Sequence, residues 1–176
     1  SPGDYGITFV PWDTDSQGKE QSVLDRLAAL SSNFMSWLAG SPTELYRAET
    51  GNCGANCYPG GWHFAPGKIV IYNDHGFGSD YNTLCTLTHE LGHEIATRTD
   101  LYTGFLSCFE SGEERTPYGT NAISEDVAET IGIYAKNQII GYSTATCSGG
   151  TYDLNSRPCH LALAQQVFGT EGGILP

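Results

Sequence analysis

Positive charge is what this chain has least of. Its 176 residues include eight Lys and Arg against 20 Asp and Glu, for a net charge of −12. The eight are scattered without a run. A phosphate-binding surface needs a basic patch, so a nucleic-acid partner is not expected, while cationic substrates are mildly favoured by steering. Long apolar runs are also missing: nothing approaches the ~18 residues that span a membrane. No N-x-S/T sequon occurs, so N-glycosylation is not expected. No signal-peptide pattern is present and the chain opens Ser1-Pro2-Gly3, which reads as a mature form whose leader was removed. Repeats, linkers and low-complexity tails are absent too, so residues 1–176 are expected to form one domain.

Glycine, at 22 residues, is well above the ~7% typical of soluble domains and points to a loop-rich surface. Six cysteines, an even number, suggest three disulfides and an oxidising, extracellular compartment. Taking near neighbours in sequence gives Cys53–Cys57, Cys85–Cys108 and Cys147–Cys159 as the expected pairs.

One stretch carries chemistry: Thr88-His89-Glu90-Leu91-Gly92-His93-Glu94 contains H-E-x-x-H. A helix turns by about 100° per residue, so His89 and His93 return to one face and offer two imidazole ligands to a tetrahedral zinc. Glu90 projects beside them, where a carboxylate can take a proton from water. Leu84, Leu87, Leu91 and Ile95 gather on the opposite side of the same wheel, so this helix has an apolar stripe and a ligand stripe. A catalytic zinc needs a third protein ligand. The metzincin spacing would put Gly and then His or Asp after His93, but Ala96 and Thr99 stand there. A downstream carboxylate is the alternative. The helix expected from Ser124 offers Glu125 and Glu129 on one face, with Asp126 about 100° away and Val127, Ile131 and Tyr134 on the apolar side. Spacing alone leaves the choice among these acids open.

The segment from Tyr118 to Glu129 resembles the second motif of zincins with a glutamate third ligand. It looks most like the catalytic domains of anthrax lethal factor and the Pro-Pro endopeptidases. There a tyrosine precedes the ligand glutamate by seven residues and an acid follows it by four, as Tyr118, Glu125 and Glu129 do here. The resemblance covers two short motifs. It implies a zincin-like α+β domain: a small mixed sheet, an active-site helix and a second ligand-bearing helix. It also implies that Glu125 is the third zinc ligand, that Tyr118 donates to a developing oxyanion, and that Glu129 orients a ligand.

Elsewhere the reading is structural. Ile7, Phe9 and Val10 suggest a strand over Tyr5 to Val10, and Val23, Leu27, Leu30, Phe34 and Leu38 predict one helix from Lys19 to Leu38. Glu44 to Glu49 reads as a short strand, and residues 52–61 as a stapled loop. Lys68 to Tyr72 is the clearest strand; the resemblance to zincins implies a sheet edge whose Ile69 to Tyr72 could pair with an extended substrate, the alternative being an internal strand. His63 is expected to be structural or at the surface, His75 to lie in a loop, and His160 to sit on the surface of a last helix from Pro158 to Val167. Leu101 to Thr120, with Gly104, Gly112, Pro117 and Gly119, reads as an irregular segment that covers the cleft and delivers Tyr118.

The expectation is therefore a secreted, monomeric zinc endopeptidase acting on protein or peptide substrates in extended form, with Glu90 as general base. The alternative is a secreted zinc-binding protein that sequesters metal or binds a partner without cleaving it.

Overall fold

A computed structural model of the chain describes residues 3, 6–10, 18–30, 36, 38–40, 42–48, 60–72, 80–97, 99–140 and 152–168. They form a mixed α and β structure. In chain order the elements are β1 (Ile7–Phe9), α1 (Lys19–Ala29), β2 (Thr43–Ala48), β3 (Gly61–Ala65), β4 (Lys68–Tyr72), α2 (Asp80–Ala96), α3 (Thr99–Glu110), α4 (Ile123–Ile140), a 3-10 turn (Leu154–Ser156) and α5 (Pro158–Phe168).

The sheet runs β1-β2-β4-β3, parallel except for the antiparallel β3–β4 hairpin. Pro66-Gly67 makes the hairpin turn; Gly67 has φ +70°, which a glycine tolerates without strain. Lys68 to Tyr72 is thus an internal strand. Its three consecutive buried residues, Ile69, Val70 and Ile71, suit a strand covered on both faces. Of the two roles open to it, substrate pairing is removed, and among the described residues β3 holds the edge instead.

One apolar core joins the layers. Leu45, Ile69 and Ile71 of the sheet meet Leu87, Leu91 and Ile95 of α2, which in turn meet Val127 and Ile131 of α4. The α2 and α4 helices make close backbone contact, because a Cβ on Gly92 would stand only 2.6 Å from Ala128 Cα. Glycine is required there by the approach of the two backbones.

Three expectations change. The first helix stops at Ala29, with Leu30 already extended at φ −75°, ψ 154°. Residues 31–35 of the expected helix lie outside the described residues. Leu101 to Glu110 is helical rather than irregular. Gly104, read as a loop signal, is a packing glycine whose added Cβ would meet Leu163 Cδ2 at 2.8 Å. The disulfides also differ: Cys108 pairs with Cys159, so neither Cys85–Cys108 nor Cys147–Cys159 forms. Packing of α3 on α5 brings together cysteines far apart in sequence, which a nearest-neighbour rule cannot anticipate. Cys85 is disulfide-bonded as well. The Cys53–Cys57 expectation and His75 lie outside the described residues.

Candidate metal centre

The two histidines owe their position to the helix that carries them. Leu84, Leu87, Leu91 and Ile95 bury one stripe of α2 completely, which turns His89 and His93 toward α4. Thr88, buried in the same helix, satisfies its hydroxyl on the Leu84 carbonyl at 2.7 Å. The close crossing at Gly92 and Ala128 then brings the first turn of α4 over the imidazoles. Glu125 lies one turn before Ala128 and faces them.

The resulting triangle can be measured. His89 Nε2 and His93 Nε2 are 3.2 Å apart. Glu125 Oε2 is 3.4 Å from the first and 3.3 Å from the second. A tetrahedral zinc with bonds of 2.0–2.1 Å has ligand–ligand edges of roughly 3.3 Å. Three donor atoms already stand on one face of such a tetrahedron. Among the described residues, Glu125 Oε2 is also buried without a hydrogen-bond partner. Buried polar atoms are normally paired, so an orphan oxygen near two imidazole nitrogens fits a position that could bind a cation. The donor set, two nitrogens and one carboxylate oxygen, suits zinc. These three residues are the one group among the described residues that could hold a metal ion in this way.

Electrostatics point the same way. Burial disfavours the charged form of His89, but Glu125, Glu129 and Glu90 outweigh it and hold its pKa up at about 10. Burial pushes against ionisation of Glu125 too, yet His89 and His93 bring it down to about 2. The carboxylates attract positive charge, which a proton or a divalent cation can supply.

Glu90 is buried, and that burial raises its pKa against the opposing pull of His89, His93 and the His63 backbone N–H. A carboxylate so placed is a competent proton acceptor. Glu129, also buried, sets an oxygen 3.4 Å from His89 Nδ1, on the side of the ring away from Nε2. Such a carboxylate favours the tautomer that leaves Nε2 free for a metal. Two turns further along α4, the buried Lys136 is brought down to about 8 by burial, with Glu129 pulling the other way.

Tyr118 stands in the turn before α4. Thr116 organises that turn, its hydroxyl accepting from Gly119 N at 2.8 Å and its carbonyl from Thr120 N at 3.1 Å. The Tyr118 ring lies 5.9 Å from the His89 ring, centre to centre, and is tilted by 47°.

Asp126 is drawn elsewhere. It is buried and its Oδ2 lies 2.9 Å from His160 Nε2. The other ring nitrogen of His160 meets Glu113 at 2.7 Å. Glu113 also accepts the backbone N–H groups of Cys159 and His160 and so caps α5. Thus His160 is wholly buried, where a surface position was expected. A carboxylate on each nitrogen raises its pKa and favours the imidazolium, against burial, which alone would lower it. Neither partner lies near it in sequence, so no local pattern signals the contact. His63 is structural as expected, bonded to Glu94 at 2.9 Å, but it also stacks on His93.

Among the described residues no helix is long and apolar enough to cross a membrane. Comparison of the chain with protein-family profiles, with curated proteins and with solved structures returns no match.

Proposed function

We propose that this protein is a secreted zinc-dependent endopeptidase, a zincin with a glutamate as third metal ligand. The observation that carries the reading is the near-equilateral donor triangle of His89, His93 and Glu125 with the Glu90 carboxylate buried beside it. A metal store needs the triangle alone. A buried carboxylate following the first histidine adds nothing to the triangle, and a group there that can accept a proton is what water activation needs.

In this reading His89, His93 and Glu125 hold the zinc. The bound ion supplies Lewis acidity, acidifying water and polarising a carbonyl oxygen. Glu90 takes the proton of the attacking water and delivers it to the leaving amine, so that one water and one peptide bond become a carboxylate and an amine. Tyr118 donates its hydroxyl to the carbonyl oxygen as negative charge develops there. Glu129 holds the His89 ring in place. The edge strand β3, packed along α2, offers backbone groups with which an extended peptide can pair. The Cys108–Cys159 disulfide supports an oxidising compartment.

Incubation with a mixed peptide pool, with and without a zinc chelator, tests the proposal. New peptide termini that vanish with chelator and with Glu90→Gln are the expected result. Cleavage that survives Glu90→Gln would remove the mechanism. Tight zinc binding without any cleavage would favour a metal-sequestering protein.

A further inference from the structure

The edge strand reaches the metal triangle through one residue. His63 sits in β3 and its side chain, 11% exposed, points at α2. Its Nε2 lies 2.9 Å from Glu94 Oε2, and the same oxygen accepts the Gly67 backbone N–H at 2.7 Å. Glu94 is buried and is the residue after His93. One carboxylate thereby pins both the middle of β3 and the hairpin turn to α2, beside the second histidine ligand. The His63 ring lies nearly parallel to the His93 ring, at 19° with centres 6.0 Å apart. His93 also meets the His89 ring edge-on, at 4.8 Å and 86°. The plane of His93 is therefore confined by two rings. Closeness of strand to helix is secured at Gly61, where a Cβ would stand 2.9 Å from Glu90 Cγ.

From these contacts we infer that His63 is a positioning residue for the metal centre: it fixes the ring plane of His93 from the edge strand. The role rests on the zinc-peptidase reading above. Its side-chain part separates into two elements, the hydrogen bond to Glu94, which locks strand to helix, and the ring, which limits rotation of His93. His63→Gln retains an N–H donor for Glu94 and removes the ring; His63→Ala removes both.

Cobalt substitution reads the geometry directly, because the visible absorption of Co²⁺ changes with ligand arrangement. In His63→Ala, zinc affinity is expected to fall ~10-fold, as when groups that orient a metal ligand are lost. The Co²⁺ spectrum should shift and the melting temperature should drop. His63→Gln should recover most of the melting temperature while its Co²⁺ spectrum stays displaced and its kcat stays low. If His63→Ala fails to fold, His63→Gln alone carries the comparison. An unchanged spectrum and zinc affinity in either folded variant would overturn the inference, leaving His63 a strut between strand and helix. The spectra do not depend on turnover: a wild-type chain that binds Co²⁺ but cleaves nothing refutes the peptidase and still decides on His63. A wild-type chain that takes up no Co²⁺ refutes both.

Discussion

Replacing Gly92 with alanine probes the contact that assembles the centre. The added Cβ would lie 2.6 Å from Ala128 Cα, 3.2 Å from its carbonyl oxygen and 3.4 Å from its carbonyl carbon. Carbon atoms in contact sit ~3.5–4.0 Å apart, so the backbones must part by about 1 Å at the crossing. All three atoms are main chain, and no rotamer change can absorb the clash. Alanine gains ~1 kcal/mol over glycine in a helix interior, while overpacking costs ~1–3 kcal/mol. The overpacking should win, for a net loss of about 1 kcal/mol. The larger effect falls on the metal. Edges of 3.2–3.4 Å leave no slack, and a shift of about 1 Å carries Glu125 beyond bonding reach of an ion held by the imidazoles. Zinc affinity should fall by at least ~10-fold, since even loss of an orienting group costs that much. Competition against a chromophoric chelator measures it, with thermal melts in zinc and in chelator alongside. Gly104→Ala is the control: its Cβ meets the flexible end of Leu163, away from the triangle. It should change stability alone. A Gly92→Ala protein that binds zinc as tightly as wild type would refute the reasoning.

Glu125→Ala should abolish stoichiometric zinc binding, while Glu129→Ala should retain the metal with affinity lower by ~10-fold; metal analysis after dialysis distinguishes them, and the reverse order would reassign the ligand. Tyr118→Phe should keep full zinc occupancy and lose ~100-fold in kcat, the size of one oxyanion donor, measured on a cleaved peptide once one is found. His160 gives a pH signature in stability. Its folded pKa is raised, so its contribution is complete below the unfolded value of ~6.5 and is lost as pH rises through the folded value. His160→Gln should cost ~3–5 kcal/mol at pH 6, because Asp126 is left buried without its cation, and less at higher pH. Urea midpoints across pH test this, and parallel curves for the two proteins would contradict it.

The helices that carry His89 and Glu125, and the facing of those residues, were legible because their patterns are local. H-E-x-x-H and the acids Glu125 and Glu129 repeat at the helical period, and each helix carries its own apolar stripe to orient it. Lys68 to Tyr72 was legible for the same reason, as a β-branched run. What stayed hidden depends on contacts distant in sequence. Gly104 reads as a loop residue until Leu163 is seen against it, and Gly92 gives no sign that Ala128 is its neighbour. His160 looks like any polar residue on a short helix, since Glu113 and Asp126 are 47 and 34 residues away. The Cys108–Cys159 bridge spans 51 residues and follows from that same packing. His63 reads from sequence as structural or at the surface, and its place against His93 follows from the position of β3 in the described sheet, which topology decides.

X-ray absorption on the zinc-loaded protein tests the central claim most directly. Two imidazole nitrogens and a carboxylate oxygen at 2.0–2.2 Å around one zinc per chain are expected, with the oxygen shell disrupted in Glu125→Ala. A zinc shell containing sulfur, or one that Glu125→Ala leaves unaltered, would contradict it.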